Sequence, residues 1–314
     1  MALAITFSTL LHAQQLPNFT QYRSYSSLNN PAAISSNYMA FEQNGSIGTS
    51  YRVQWSDVIA APRTFVLQGD YLMDNGGGTS LLFGGHVIND QTGPLATTGV
   101  YGKIGGVISR KPESGGFCVG LTAGAVQFGV KSKELRLRDL DDLTAQQNLN
   151  SVYADVGVGI FAYQRMGGKK TKGDFLYGGV SIPQIIGSTV SIVDDEGKEF
   201  SLKRNQHIYG NIGYLHYFWN DSFIEPSVWV KYVPNAPINV DANIRYFFDE
   251  SLLWIGAGGS SSKAAHIEFG VMLGDNTAYE NNLQIGYGYD YSFNSFGPSV
   301  GGTHEVNVAY VFGR

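Results

Sequence analysis

Side chains able to do chemistry are few and scattered in this sequence. Its six histidines, His12, His86, His207, His216, His266 and His304, include no pair three or four residues apart, so a helical zinc motif is absent. A single cysteine, Cys118, excludes an intrachain disulfide and a cysteine-ligated zinc or iron–sulfur centre. Within Gly116-Phe-Cys-Val-Gly-Leu121 it reads as a small buried or lipid-facing hydrophobe. No Gly-x-Ser-x-Gly elbow occurs. Gly256-Ala-Gly-Gly-Ser-Ser-Ser-Lys263 lacks the Gly-Lys-Ser/Thr ending of a phosphate loop and falls between two strand patterns. The acidic clusters Asp139, Asp141, Asp142 and Asp194, Asp195, Glu196 match no calcium-loop spacing and read as solvated turns. The sequence therefore points to no catalytic residue, no cofactor and no metal, and a non-enzyme is expected. With a net charge of −5 and dispersed Lys and Arg, no nucleic-acid partner is expected either.

Four charges stand out for their placement. Glu225, Lys231, Asp241 and Arg245 fall on the polar faces of two adjacent strand patterns, where they are expected to pair with one another as a structural lumen network. The elements that position them are strands. Ile238, Val240, Ala242, Ile244, Tyr246 and Phe248 share one face, while Asn239, Asp241, Asn243 and Arg245 share the other. Leu283, Ile285, Tyr287, Tyr289 and Tyr291 alternate in the same way with Asn282, Gln284, Gly286, Gly288 and Asp290, as do Val306, Val308, Tyr310 and Phe312 with Glu305 and Asn307. A polar face of this kind has no place in a dry core, and strands of about 9 to 11 residues are what a tilted strand needs to cross a bilayer.

Composition agrees. Of 314 residues 40 are Gly and only 15% are charged, against usual shares of roughly 7% and about 25%. No stretch approaches the roughly 18 apolar residues of a spanning helix. A soluble sandwich with one wet face predicts strands nearer five or six residues and no gathering of rings at strand ends. Here Tyr51 and Trp55, Tyr71, Tyr163, Tyr217 to Trp219, Tyr246 to Phe248, Tyr289 to Phe293, Tyr310 and Phe312 lie near strand ends, the expected aromatic girdles of a membrane barrel.

The fold class expected is all-β: a transmembrane antiparallel β-barrel of about fourteen strands with both termini periplasmic. Residues 1–13 read as the apolar heart of a signal peptide truncated at its start, 14–42 as a periplasmic N-terminal segment leading into the barrel, and 43–314 as the barrel. The two longest connections, near 130–149 and 183–204, are assigned to the outer side, and Lys133 to Asp142 could add a short turn of helix there. The localisation expected is the outer membrane, with its lipid as one partner.

The irregular segments narrow this further. Phe19-Thr-Gln-Tyr22, Asn29-Asn-Pro-Ala32, Tyr51-Arg-Val-Gln-Trp55 and Ala61-Pro-Arg-Thr-Phe65 are followed by Asn89-Asp-Gln-Thr-Gly-Pro94 and Gly178-Gly-Val-Ser-Ile-Pro-Gln184. Next come Pro226-Ser-Val-Trp-Val-Lys-Tyr-Val233, Ala236-Pro237, Tyr287-Gly-Tyr-Asp-Tyr291 and Thr303-His-Glu305. In this order the blocks resemble the PorP/SprF family of type IX secretion membrane proteins, with Phe19, Gln21, Tyr22, Asn30, Pro31, Asp90, Gly93, Pro94, Pro183, Gln184, Tyr289, Asp290 and Tyr291 as signature positions. The resemblance implies a non-enzymatic part in protein export across the outer membrane of a Bacteroidetes-type bacterium. It also implies partners: secreted or surface cargo, such as gliding adhesins, whose C-terminal domain carries the type IX signal, and other secretion components including the periplasmic lipoprotein ring.

Physics adds a reading of two blocks. Asn30-Pro31 is a turn former that leads into the first strand. Arg52, Gln54, Trp55 and Arg63 flank the first outer loop, either as an interface girdle with its pairing charges or as a region that plugs the barrel or receives a partner peptide. A general porin or small-solute transporter is the alternative function that a polar lumen permits.

Overall fold

The computed structural model describes residues 18–75, 78–131, 149–167, 173–186, 189–193, 199–203, 205–248, 253–274, 281–295 and 297–313. Fourteen antiparallel strands close into a barrel: β1 (Gly45–Val53), β2 (Arg63–Met73), β3 (Gly78–Thr92), β4 (Leu95–Ser109), β5 (Gly115–Val130), β6 (Leu149–Met166) and β7 (Asp174–Ile182), then β10 (Ile208–Tyr217), β11 (Phe223–Tyr232), β12 (Asn239–Phe248), β13 (Leu253–Ser260), β14 (Ala264–Gly274), β15 (Asn281–Ser292) and β16 (Thr303–Phe312). A two-stranded hairpin, β8 (Thr189–Val193) with β9 (Glu199–Lys203), stands in the connection where the sequence suggested only a long loop. Each barrel strand pairs with its chain neighbours, and β1 meets β16 from Gly45↔Phe312 to Val53↔His304, so no edge is left open.

Side-chain alternation decides which way each strand faces. On β12, Asp241, Asn243 and Arg245 are buried, while Val240 and Ile244 stand out at 37% and 48% exposure. The same outward row continues through Ile104, Leu121, Ile160, Ile212, Ile255 and Phe269, so the outer wall carries an apolar belt suited to lipid. Strands β3 to β6 run to 15, 15, 16 and 18 residues, well past the roughly 9 to 11 that cross a bilayer. On the side of the 131–148 connection, β6 runs nine residues past its last pairing with β7, Val158↔Ile182.

Not all the rings sit in girdles. Tyr51, Tyr291, Phe293 and Tyr310 face outward, but Tyr163, Tyr217 and Phe247 point inward with Phe161, Phe223 and Trp254 and are buried at one end of the lumen. The reason is that this end is filled by protein. The helix α2 (Ser36–Phe41) inserts Tyr38, Met39 and Ala40 there, and an apolar segment needs an apolar lining. Ser35 caps α2 by accepting from the Asn37 amide at 3.1 Å, and Glu42 ends it in the left-handed region at φ 58°.

The larger difference concerns the segment 14–42. From Asn18 onward it lies inside the barrel, including the single turn α1 (Ser26–Asn29), where the sequence reading had a periplasmic lead-in. Asn18 lies beside Lys231 at one rim, and Phe41 lies against Phe223 and Phe247 at the other, next to the start of β1 and the end of β16. The described N-terminal end at Asn18 thus meets the rim opposite Phe312, while residues 1–17 lie outside the described residues. An even strand count returns a chain to its starting rim, but a segment threaded through the lumen first crosses the barrel once more. Residues 1–13, read from the sequence as a signal peptide, the turn expected at Lys133 to Asp142 and the acidic clusters at 139–142 and 194–196 lie outside the described residues.

The belt yields a direct expectation. Ile104→Arg, at 62% exposure on the outer wall, should lower barrel stability in lipid vesicles by about 2 to 4 kcal/mol. The same change at Ile59, on a loop at 92% exposure, should leave urea unfolding unchanged.

Candidate functional site

The site is the lumen and the segment that fills it. Three glutamates from three strands set its electrostatics: Glu225 on β11, Glu268 on β14 and Glu305 on β16, each almost wholly buried. An ionised carboxylate held away from water is costly unless paired and hydrogen-bonded. The wall supplies part of the pairing. Arg245 donates to Glu225 through Nε at 3.0 Å and also through Nη2, and Tyr177 donates to the same carboxylate at 2.6 Å. Arg52 reaches Glu305 at 3.0 Å and Asp290 at 2.6 Å.

The remainder comes from the segment. The backbone amides of Thr20 and Gln21 donate to the two oxygens of Glu305 at 2.9 and 3.1 Å. The Arg23 guanidinium pairs with Glu268, donates to Ser227 Oγ at 2.8 Å and lies 3.7 Å from Glu225. Tyr22 shares a 2.6 Å hydrogen bond with Ser227 and packs on Trp229 with centroids 5.2 Å apart. Thr20 Oγ1 accepts from Arg52 at 2.6 Å and donates to Asp290 at 2.7 Å. A forked guanidinium suits this three-way contact, because its donors are fixed in a plane.

Further along, Asn30 and Pro31 make the turn that carries the segment from the ionic half of the lumen to the aromatic half. Asn30 Oδ1 accepts from the Ala32 amide at 2.9 Å, and its amide nitrogen donates to the Ile160 carbonyl at 3.0 Å. Glycine is required opposite this turn. A Cβ at Gly120 would strike the Pro31 backbone, and one at Gly159 or Gly179 would strike the Asn30 side chain. Ser181 donates to the Asn29 carbonyl and Gln68 to the Ser24 carbonyl, both at 2.6 Å, and Tyr217 closes the far end on the Ala40 carbonyl at 3.0 Å. Two cavities left beside the segment measure about 30 Å³ each, room for about two waters apiece.

Of the four charges on the adjacent polar faces, Arg245 pairs with Glu225 and Lys231 with Asp241 at 2.5 Å, and Lys231 Nζ also donates to Asn18 Oδ1 at 3.0 Å. Sequence reasoning missed Arg23, Glu268 and Glu305. Their signal was a lone carboxylate at an inward position between apolar residues, as at Ile267-Glu-Phe269, and a lone cation in a stretch with no strand period. The four residues around the first loop do not come together. Arg52 turns into the lumen, Arg63 faces out, and Gln54 and Trp55 open the loop 54–62. Trp55 takes φ 58°, a left-handed conformation that is strained for a bulky side chain, and the loop is held by Gln54 N–H to Pro62 O at 2.9 Å and Ser56 N–H to Gly302 O at 3.0 Å.

Six of the thirteen signature positions meet at the segment and its wall. Phe19 stacks on Tyr25 at 4.5 Å, and Gln21, Tyr22, Asn30, Pro31 and Asp290 make the contacts above. Others shape turns: Gly93 sits at φ 56°, the Pro94 carbonyl accepts from the Lys131 amide at 2.8 Å, and Asp90 accepts from Thr64 at 2.6 Å. Pro183 backs onto Gly157, and Gln184 is buried. Tyr289 packs on His304 at 5.2 Å, and Tyr291 faces out.

Replacing one partner of a buried pair leaves the other charge exposed to the full desolvation cost. Arg23→Ala should destabilise the barrel by about 3 to 5 kcal/mol in urea unfolding. A double change of Arg23→Met with Glu268→Met should unfold at higher urea than Arg23→Ala.

The family described as type IX secretion system membrane protein PorP/SprF has a sequence model that matches residues 11–310. No curated protein matches the chain. Solved structures with similar folds include a TodX deltaS2S3 mutant, a monoaromatic hydrocarbon channel, at TM-score 0.55 and 10% identity over 92% of this chain and 94% of that one. The CymD monoaromatic hydrocarbon channel follows at 0.52 and 10% over 91% and 94%, and a Pseudomonas aeruginosa FadL homologue at 0.51 and 9% over 91% and 93%. At such identities the likeness is one of fold, that of an outer-membrane barrel.

Proposed function

The chain belongs to the PorP/SprF family of type IX secretion system membrane proteins, and from that membership we propose that it docks or anchors specific secreted or cell-surface cargo at the outer membrane without forming the conduit itself. The observation that carries this reading is the lumen: residues 18–43 run from rim to rim and are bonded to the wall along the way. A barrel of fourteen strands is in any case too narrow for a folded protein, since much wider barrels still enclose only a channel. The role is non-enzymatic. Its partners are cargo bearing a C-terminal type IX signal domain, gliding adhesins among them, other secretion components including the periplasmic lipoprotein ring, and outer-membrane lipid.

We place the rim of the 54–62 and 183–207 connections outside and the rim of Phe312 toward the periplasm. Of the residues expected at the first loop, Gln54, Trp55 and Arg63 stand at the outer rim and are assigned to partner contact. A strained Trp55 in a loop pinned by backbone hydrogen bonds supports that assignment, because strain persists where surrounding structure holds a residue in place for use. The competing reading, a small-solute channel, draws on the channels that share the fold; the bonded segment in the lumen speaks against it.

A deletion strain should lose surface attachment of at least one signal-bearing cargo, and Trp55→Ala with Arg63→Ala should lower that attachment while the barrel still folds. Normal export and attachment of every such cargo in the deletion strain would contradict the proposal. In planar bilayers the purified full chain should give no large steady conductance; a stable open channel would favour the solute-transport reading.

A further inference from the structure

We propose that the lumen wall around Glu225, Glu268 and Glu305 is a peptide-binding site, filled here in cis by Thr20 to Arg23, that takes in trans an extended segment carrying an aromatic–arginine pair. This rests on the wall chemistry and is independent of the role in secretion.

The sheet is closed without its occupant. The strand ladder closes through β1 and β16, and the hydrogen bonds that tie residues 18–30 to the strands all use a side chain on at least one side. Withdrawing the segment therefore breaks no sheet pairing. What it leaves behind is a specific demand. Among the described residues, Arg23 is the cation paired with Glu268, and Glu305 loses two amide donors that any extended backbone can supply. Trp229 and the Ser227 hydroxyl next to them receive the Tyr22 ring and its hydroxyl. The site thus selects an aromatic side chain followed by a guanidinium, whose fork spans Ser227 and Glu268 together; a lysine offers one point charge.

A second observation shows that the cis occupant is an imperfect fit. Gln21 Nε2, Arg23 Nε and Glu268 Oε2 are buried without hydrogen-bond partners within the protein at the heart of the contact. Unsatisfied buried polar atoms weaken a complex. A segment whose side chains meet these atoms gains hydrogen bonds that the chain's own does not make, which offsets part of the advantage the tethered segment has.

The test uses the full chain in detergent micelles and a fluorescent peptide of residues 18–30, read by anisotropy. Arg23→Ala, which empties the Glu268 pairing, should bind this peptide at least tenfold more tightly than the unaltered chain. A peptide with alanine in place of its arginine should bind that variant at least tenfold more weakly, and adding Glu268→Gln should abolish the difference between the two peptides. Should Arg23→Ala not fold, judged by the heat-dependent gel shift of a barrel, Tyr22→Ala vacates the Ser227 and Trp229 contacts and is read in the same way. The proposal is overturned if the folded variant binds the two peptides alike, or binds the arginine peptide no better than the unaltered chain. Neither reading involves cargo export, so the outcome leaves the docking proposal to its own test.

Discussion

Buried charge is the constraint on which this architecture depends. A sheet closed on itself must aim every second side chain inward, and here the inward positions include Glu225, Glu268 and Glu305, all close to fully buried. Lipid outside and a narrow lumen inside leave little water to solvate them, so each carboxylate must find cations and donors of its own. Arg52 and Arg245 from the wall meet part of that need. Arg23 and the amides of Thr20 and Gln21 meet the rest, and they can do so only if the N-terminal segment threads the barrel. The path of residues 18–43 is thus tied to the electrostatics of strands more than two hundred residues away.

The second half of the lumen follows from the first. Once the segment has turned at Asn30 and Pro31, it presents Ile34, Tyr38 and Met39 to the wall, and the wall answers with Tyr163, Phe223, Phe247 and Trp254. An ionic half and an aromatic half are joined at a turn seated on Gly120, Gly159 and Gly179, and two cavities beside the described segment measure about 30 Å³ each. Filling of this kind separates the barrel from an open pore of equal strand number, and it gives the docking reading its physical basis.

Much of the barrel was legible in the sequence, because two-residue alternation is a local signal and the outer face must be apolar wherever lipid touches it. Strands β12, β15 and β16 can be read residue by residue, and Glu225 with Arg245 and Lys231 with Asp241 pair across adjacent strands as their polar faces suggest. The segment 18–43 carries no such period. Its residues are placed by partners distant in the chain, such as Asp290 and Glu305, and only the topology of the closed sheet brings these near. For the same reason Tyr163, Tyr217 and Phe247 look like girdle rings in sequence; strand position reveals ring content, while inward or outward aim depends on what fills the lumen. Arg52 and Arg63 look like one site for a similar reason, yet inward and outward positions on neighbouring strands part them.

The central claim, that the chain's own N-terminal segment occupies the lumen, is tested most directly by thiol protection at the wall. With Cys118 replaced by Ala and Ser227 by Cys, the reconstituted barrel is treated with a bulky water-soluble maleimide, with and without urea. Occupation of the lumen predicts that Cys at 227, set against Tyr22 and Arg23, stays unmodified while the barrel is folded and reacts fully once it is unfolded. Equal modification in both conditions would mean an open lumen and would contradict the account.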